Sequence, residues 1–376
     1  MKRLLLSVLI ISMLLLCAAC GSEPAQVDPP PTPTVSEATP SPTPVATPAS
    51  TPEATVTPTP EPTPEPTPEP TPMPYQHPLT GEPLAQPFGN ARPYAVMINN
   101  INVAQPQCST SQCDILYEIL AEGTTRMMAV FSSLDGVGSM GSMRSLRPYY
   151  LDVATTYDAI MVHAGGSDQA YSDVKTLHWN NIDGVRGPGA DAFARDPNRM
   201  AHGIEHSLFT TGQKILDTTA ALNYRTEHET EDYDYGLRFA ENGTPSGAPA
   251  DKIEVHFGNY KTTTFTYDAE AQLYYPAQYG SDYIDGNTGE KVGFTNVLVL
   301  YAATRTLDNY GRLAVTLTGS NEGVYACGGK STHITWERAS NADRFSYIKA
   351  DGSPLTLGIG TTYICVVPNK SEVALS

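Results

Sequence analysis

The chain is poor in basic side chains, in cysteine and in tryptophan. Among 376 residues it has 23 lysines and arginines against 40 acidic residues, with six cysteines and two tryptophans. The formal net charge of −17 opposes binding to nucleic acid, because a phosphate backbone requires a basic surface. The same charge opposes lying flat on an anionic lipid surface. We therefore expect neither nucleic acid nor a membrane surface as the main binding partner.

Familiar catalytic and cofactor signatures are also missing. The glycine-rich segment 135–141 lacks the lysine of a P-loop and the spacing of a dinucleotide-binding fingerprint. His202, Glu205 and His206 form H-G-I-E-H, which is not the H-E-x-x-H order of a zinc protease. The G-x-S-x-G motif of a nucleophile elbow is absent. We expect no metal and no cofactor, and these absences favour a protein without enzymatic activity.

One long apolar run opens the chain. Two basic residues precede the run Leu4–Leu16, and Ala18 and Ala19 precede Cys20. A charged start, a short apolar core and small residues at its end are typical of an export signal, which we assign to residues 1–20. A cysteine in this position resembles the lipobox of bacterial lipoproteins, which implies cleavage before Cys20 and a diacylglyceryl anchor on its sulfur. Ordinary secretion with a structural Cys20 is the alternative.

Residues 21–74 are of low sequence complexity and hold 19 of the 32 prolines. Such a segment cannot bury a core, and we predict a disordered, extended polyproline stalk. Its 54 residues would span roughly 170 Å at about 3.1 Å each. A stalk of this length would hold a folded part away from a membrane. A proline-rich ligand for a recognition domain is the alternative.

The residue pattern of the remaining sequence changes near residue 225, which predicts two domains and an α+β fold class. Residues 75–225 mix apolar segments with glycine turns and predict a mixed α/β domain, with strands at 94–98, 125–131 and 159–162 and helices at 114–121, 170–177 and 207–222. Residues 250–370 contain nine short segments rich in Thr, Val, Ile and Tyr between turn residues. This pattern predicts a mainly antiparallel, all-β domain.

Four cysteines fall in these two domains. An even number outside the cell suggests disulfides, and four cysteines allow three pairings. We predict Cys108–Cys113, which would close a small polar loop, and Cys327–Cys365, which would bridge neighbouring strands. Zinc is a weaker alternative, because neither pair has C-x-x-C spacing.

A candidate site lies between residues 141 and 168. The apolar strand at 159–162 ends in His163 and two glycines, and Ser167 then reads as the N-cap of a helix. Free N–H groups and the helix dipole at such a junction favour an anion. Ligands of open α/β sheets also bind at the carboxyl ends of strands. We therefore predict that His163 and Ser167 contact an anionic ligand, and a satisfied core histidine is the alternative for His163.

Arg144 and Arg147 precede that strand. At a spacing of three residues they would share one face of a helix capped by Ser142. Pro148 suggests instead that the helix begins near Leu146 and leaves Arg144 in the preceding loop. Two guanidinium groups suit a carboxylate or a phosphate. The alternative is that both arginines pair with structural carboxylates.

The irregular segment 183–199 adds further candidates. Long irregular loops in compact domains are often functional. We include Arg195, Asp196 and Arg199 in the ligand-binding set, together with His206 just beyond. An internally salt-bridged loop is the alternative.

The same residues allow an enzymatic hypothesis. His163 or His206 would be the general base, Asp196 would orient it, and Ser145 or Ser167 would be the nucleophile. Such an enzyme would be a hydrolase or transferase acting on cell-wall polymers. No recognised motif orders these residues.

Several motifs together resemble a known family. They are R-S-L-R-P-Y-Y at 144–150, V-H-A-G-G-S at 162–167, R-D-P-N-R at 195–199, N-V-L-V-L at 296–300 and G-I-G-T-T-Y-I-C-V-V-P near the end. The chain resembles the YerB-like bacterial lipoproteins, a family defined by a domain of unknown function, over about residues 78–368. Near residue 205 the family has P-H-N where this chain has E-H-S.

The resemblance implies a two-domain lipoprotein on the extracellular face of a bacterial membrane, and we expect the bacterium to be Gram-positive. It also implies an association with penicillin-binding or other cell-wall proteins. We therefore predict a binding or regulatory module for an anionic ligand or a cell-wall synthesis partner. A spacer whose β domain docks other proteins is a further alternative, and it predicts that the polar candidates are scattered in space.

Overall fold

The computed structural model of the chain describes residues 74–259 and 261–376. The predicted signal peptide, nearly all of the predicted stalk and the predicted anchor Cys20 lie outside these residues. Within the described part, no helix is both long enough and apolar enough to cross a membrane.

The fold is α+β, with the helices of the described residues in the first part of the chain and mainly antiparallel strands after it. The elements up to residue 221 are β1 (Tyr75–Gln76), β2 (Pro83–Leu84), β3 (Tyr94–Asn100), β4 (Ile115–Ala121), β5 (Thr124–Phe131), β6 (Ser139–Gly141), α1 (Pro148–Thr156), β7 (Ile160–His163), α2 (Asp168–Thr176), β8 (Asn181–Asp183), β9 (Ala194–Arg195), α3 (Pro197–Met200), β10 (Leu208–Thr211) and α4 (Gly212–Ala221).

The later elements are all strands. They are β11 (Phe239–Ala240), β12 (Ala248–Pro249), β13 (Lys252–His256), β14 (Thr262–Asp268), β15 (Leu273–Gln278), β16 (Ser281–Asp282), β17 (Asn296–Thr306), β18 (Leu313–Thr316), β19 (Gly319–Cys327), β20 (Lys330–Arg338), β21 (Ser346–Lys349), β22 (Leu357–Gly358), β23 (Thr362–Pro368) and β24 (Val373–Leu375).

A 12-stranded sheet runs through both parts of the chain. Its main path is β12-β20-β19-β17-β23-β4-β5-β3-β7-β8, with β18 on β17 and β21 on β20. The two parts meet where β23 pairs in parallel with β4. Strands β3, β7 and β8 are also parallel to one another. Their carboxyl ends therefore lie at the same edge of the sheet.

Both faces of this sheet are buried. Along β4, Ile115, Tyr117 and Ile119 belong to the core that includes side chains of α1 and α2. Leu116 belongs to the opposite core, which includes side chains of the five-stranded sheet β16-β15-β14-β13-β24. A strand covered on both faces reads as a continuous apolar run. This explains why the predicted helix at 114–121 was wrong.

The structure confirms most of the other local predictions. The Ser167 hydroxyl accepts a hydrogen bond from the Ala170 N–H at 3.2 Å and caps α2 as predicted. All nine strands predicted between residues 253 and 367 are present, with shifted ends. The helix predicted at 207–222 is shorter, because residues 208–211 form β10 and α4 begins after its N-cap Thr211.

The two predicted disulfides are not formed. Cys108, Cys113, Cys327 and Cys365 are all free and buried. Strand β17 lies between the strands that carry Cys327 and Cys365, and the two side chains belong to cores on opposite faces of the sheet. A disulfide requires nearby Cβ atoms that point towards each other. Cys113 Sγ instead donates a hydrogen bond to the Thr110 carbonyl at 3.1 Å.

This arrangement predicts four free thiols in the folded part. We expect the full chain, denatured without reductant and alkylated, to yield all four cysteine peptides fully labelled. Peptide mass mapping makes the measurement. A cross-linked pair of these peptides would contradict the structure.

A buried ion pair joins the five-stranded sheet to the 12-stranded sheet. The side chains of Glu118 on β4 and Lys261 before β14 are 0% and 1% exposed, and Lys261 Nζ lies 3.2 Å from Glu118 Oε1. Thr263 and Tyr363 donate hydrogen bonds to Glu118 Oε2 at 2.8 and 2.7 Å. Burial lowers the pKa of Lys261, and the neighbouring Glu118 charge opposes this shift. Removing either charge alone would therefore leave the other buried without its partner.

Glu118→Ala should strongly destabilise the protein, because it leaves the Lys261 charge buried without a partner. Breaking such a pair costs about 3–5 kcal/mol. The double variant Glu118→Leu, Lys261→Met should recover part of this loss, since it leaves no unpaired charge. Recovery is incomplete because Thr263 and Tyr363 still lose their acceptor. Urea unfolding of the three proteins measures both effects. Equal destabilisation in the single and double variants would contradict the interpretation.

Candidate arginine-lined site

A cavity of about 310 Å³ lies at the carboxyl ends of β7 and β8. It is lined by Arg144 from the loop before α1, Arg186 from the loop after β8 and Arg195 at the end of β9. The turn formed by Gly165 and Gly166 contributes to the wall. We call this feature the arginine cavity. Its position agrees with the rule that ligands of such sheets bind beyond the carboxyl ends of strands.

The three guanidinium groups make no salt bridge with any carboxylate of the described residues. Arg144 Nη1 donates to the Glu205 carbonyl at 3.3 Å. Arg195 Nη1 donates to the Ser207 hydroxyl at 3.2 Å. Burial lowers the pKa of Arg144, and the Glu205 charge opposes this shift. The cavity therefore gathers positive charge in an acidic protein.

Arg186 is held by an aromatic ring. Its guanidinium carbon lies 4.4 Å from the centroid of the Tyr171 ring, a cation–π contact. Tyr171 lies on α2, one turn after the cap Ser167. The ring therefore fixes the position of a guanidinium group on an otherwise exposed loop.

Asp183 organises the glycine turn. Its Oδ1 accepts hydrogen bonds from the N–H groups of Gly165 at 2.7 Å and Val185 at 2.9 Å. Its Oδ2 accepts from the Tyr171 hydroxyl at 2.7 Å, and burial together with this contact raises the pKa of Tyr171. Gly165 has φ of +73°, which favours glycine. One carboxylate thus fixes the turn, the aromatic ring and the start of the Arg186 loop.

His163 lies beneath the turn. It is fully buried, with Nδ1 2.8 Å from the Gly165 carbonyl and Nε2 3.1 Å from Asn181 Oδ1. Both ring nitrogens are therefore used by protein groups. In this structure His163 supports the wall of the arginine cavity and does not line it.

Three other residues of the predicted ligand-binding set make structural contacts outside the cavity. Arg147 Nε lies 2.5 Å from Glu122 Oε1, so this arginine has a structural carboxylate as its partner. Asp196 accepts from the Asn198 N–H and caps α3. Arg199 donates to backbone carbonyls of residues 104–106. None of these three side chains is among the residues that line the cavity.

His206 lies behind the cavity wall. It is 5% exposed, its Nδ1 lies 2.8 Å from Asn99 Nδ2, and its Nε2 lies 3.5 Å from Glu205 Oε1. Burial lowers the pKa of His206, and the Glu205 charge opposes this shift. Its contact with the site is therefore through Glu205, which does line the cavity.

The structure thus places Arg144 and Arg195 in the cavity, with His163, Ser167 and His206 around it. Sequence reasoning missed Arg186 and Tyr171, although Arg186 lies in the irregular segment 183–199. The spacing of Tyr171, four residues after the cap of α2, was a usable signal, because such positions share a helix face.

Asp183→Asn should destabilise the protein by on the order of 1–3 kcal/mol, because hydrogen bonds to a buried charged acceptor weaken when the charge is removed. Tyr171→Phe is the matched control. It removes one of the three hydrogen bonds and should cost less. Urea unfolding measures both changes, and a larger loss in Tyr171→Phe would contradict the role given to Asp183.

The comparisons with known proteins agree with this architecture. Residues 79–225 match the N-terminal domain, and residues 253–364 the C-terminal domain, of the family described as "Protein of unknown function (DUF3048)". The chain is 27% identical over 303 residues to "Putative lipoprotein YerB" of Bacillus subtilis (strain 168), covering 80% of this chain and 88% of that protein.

A solved structure gives the same result. The crystal structure of the YerB protein from Bacillus subtilis superposes with a TM-score of 0.67 at 25% identity, covering 80% of this chain and 99% of that chain. Both family domains are present in order, and the solved fold extends across them. The chain belongs to the DUF3048 family.

Proposed function

We propose that the protein is a lipoprotein anchored through Cys20 on the extracellular face of a bacterial membrane. Its folded part would bind an anionic ligand in the arginine cavity, as a binding or regulatory module of the cell envelope. The export signal, the cysteine after small residues and the name of the Bacillus subtilis relative support the anchor. The proline-rich residues 21–74 would act as the stalk.

The arginine cavity carries the binding part of the proposal. Arg144, Arg186 and Arg195 bring three positive charges together in a chain of net charge −17. Guanidinium groups bind carboxylates and phosphates through paired N–H donors. Since no salt bridge within the described residues neutralises them, a bound anion would stabilise the site.

The enzymatic alternative has less support. Ser145 lines the cavity, but none of the hydrogen bonds of the described residues joins its hydroxyl to a histidine. Ser167 and Asp196 are used as helix caps. Turnover of a bound ligand would favour the hydrolase or transferase alternative. Association with penicillin-binding or other cell-wall proteins belongs to the same proposal and is open to crosslinking.

A thermal-shift panel tests the proposal on the full chain in detergent. Phosphate, muropeptides and teichoic-acid fragments are the ligands. A ligand that binds only the native state stabilises it and so raises Tm. At a ligand concentration of 100 times its Kd, the stabilisation is about 2.7 kcal/mol. We expect at least one anion to raise Tm, and the shift to disappear in Arg144→Gln, Arg186→Gln.

Arg305→Gln is the matched control, because Arg305 is an exposed strand arginine outside the cavity. It removes one charge from the surface and should keep the full ligand-induced shift. Loss of the shift in this control as well would show a non-specific charge effect and would contradict the site. Absence of a shift with every anion would overturn the proposal.

A further inference from the structure

The arginine cavity has an aliphatic wall that a simple inorganic anion would not use. Val185 and Ile204 line the cavity, and they are 54% and 58% exposed. Leu208 and Met143 also line the cavity and are buried. Ligand pockets commonly combine apolar lining residues with a few placed polar or charged groups. The ligand should therefore carry an apolar group beside its negative charge.

We propose that the ligand is a peptide carboxyl terminus whose last residue is apolar. This inference rests on the proposed function and names the ligand class of the same cavity. The terminal carboxylate would bind the guanidinium groups of Arg144, Arg186 and Arg195. The terminal side chain would lie against Val185 and Ile204.

Glu205 gives the cavity a hydrogen-bond acceptor. It lines the cavity, its side chain is 53% exposed, and it lies 3.5 Å from His206. A backbone hydrogen bond lowers the pKa of this carboxyl group, and the nearby charges of His206 and Arg144 act in the same direction. An ionised Glu205 can accept the N–H of a peptide close to its terminal carboxylate. It would repel a second negative group at that place.

The volume of the cavity and the net charge of the chain favour a peptide terminus over other anions. At about 310 Å³ the cavity is at the small end of the usual range for ligand pockets, about 300–1,000 Å³. Such a volume suits one or two residues better than an acyl chain. The net charge of −17 opposes the approach of a polyanion or an anionic lipid surface. A single terminal carboxylate meets the least repulsion.

Fluorescence anisotropy of the full chain in detergent tests this inference. The probe is a fluorescein-labelled hexapeptide that ends in Ala-Ala-Leu with a free carboxylate, and the matched ligand is the same peptide with a terminal amide. The amide should bind at least about tenfold more weakly, as expected when a charge-assisted hydrogen bond is lost. Arg144→Gln should weaken binding of the carboxylate peptide until its affinity equals that of the amide peptide.

Ile204→Asp tests the aliphatic wall and should weaken the carboxylate peptide by about tenfold or more, because it adds a charge where the apolar side chain would lie. Ile204 is exposed, so the fold should tolerate the change, and an unchanged Tm without ligand checks this. Arg305→Gln should bind the peptide as the native chain does.

The outcomes distinguish the inference from the proposed function. Equal binding of the acid and the amide, or unchanged binding in Ile204→Asp, would overturn the inference. Binding of inorganic phosphate in the cavity without binding of the carboxylate peptide would also overturn it and leave the anion-binding function standing. If no anion binds, both fail.

Discussion

The parallel pairing of β23 with β4 is the contact on which the rest of the structure depends. It joins a strand near the end of the chain to a strand near the start of the folded part, and so makes one sheet from the two family domains. The five-stranded sheet and the helices then cover the two faces. The buried pair of Glu118 and Lys261 fixes one of these layers, since neither charge can be buried alone at low cost.

The same sheet positions the arginine cavity. Parallel β7 and β8 end side by side, so the loops that follow them face each other. Asp183 connects these loops through its three hydrogen bonds. The loop before α1 and the end of β9 bring Arg144 and Arg195 to the same place. The positive charge is therefore assembled by the fold and not by any one sequence motif.

Features encoded in neighbouring residues could be predicted from the sequence. Ser167 caps α2 because its hydroxyl needs only the N–H three residues ahead. Several later strands, among them β13, β15 and β20, alternate between more and less buried residues. Others, such as β23, are buried almost throughout, but they are rich in Thr, Val and Ile and lie between turn residues. Strand β4 lacks that alternation, because both its faces are buried, and it was mistaken for a helix.

Features that depend on distant residues could not be predicted in this way. The prediction of a Cys327–Cys365 disulfide was wrong because strand β17 lies between the two cysteines. The order of strands in the sheet cannot be read from the sequence. Arg147 pairs with Glu122, which lies in the turn between β4 and β5, whereas Arg144 lines the cavity. Arg186 enters the cavity because Tyr171 holds it. Each of these features depends on contacts between residues that are far apart in the sequence.

The most direct test of the central claim is an anomalous difference map from crystals of the protein soaked in sodium selenate. Selenate is an anion that guanidinium groups bind through paired N–H donors. Our account predicts an anomalous peak in the arginine cavity, within hydrogen-bond distance of Arg144 and Arg195, and no such peak in crystals of Arg144→Gln, Arg186→Gln. Selenate peaks at other arginines with none in the cavity would contradict it.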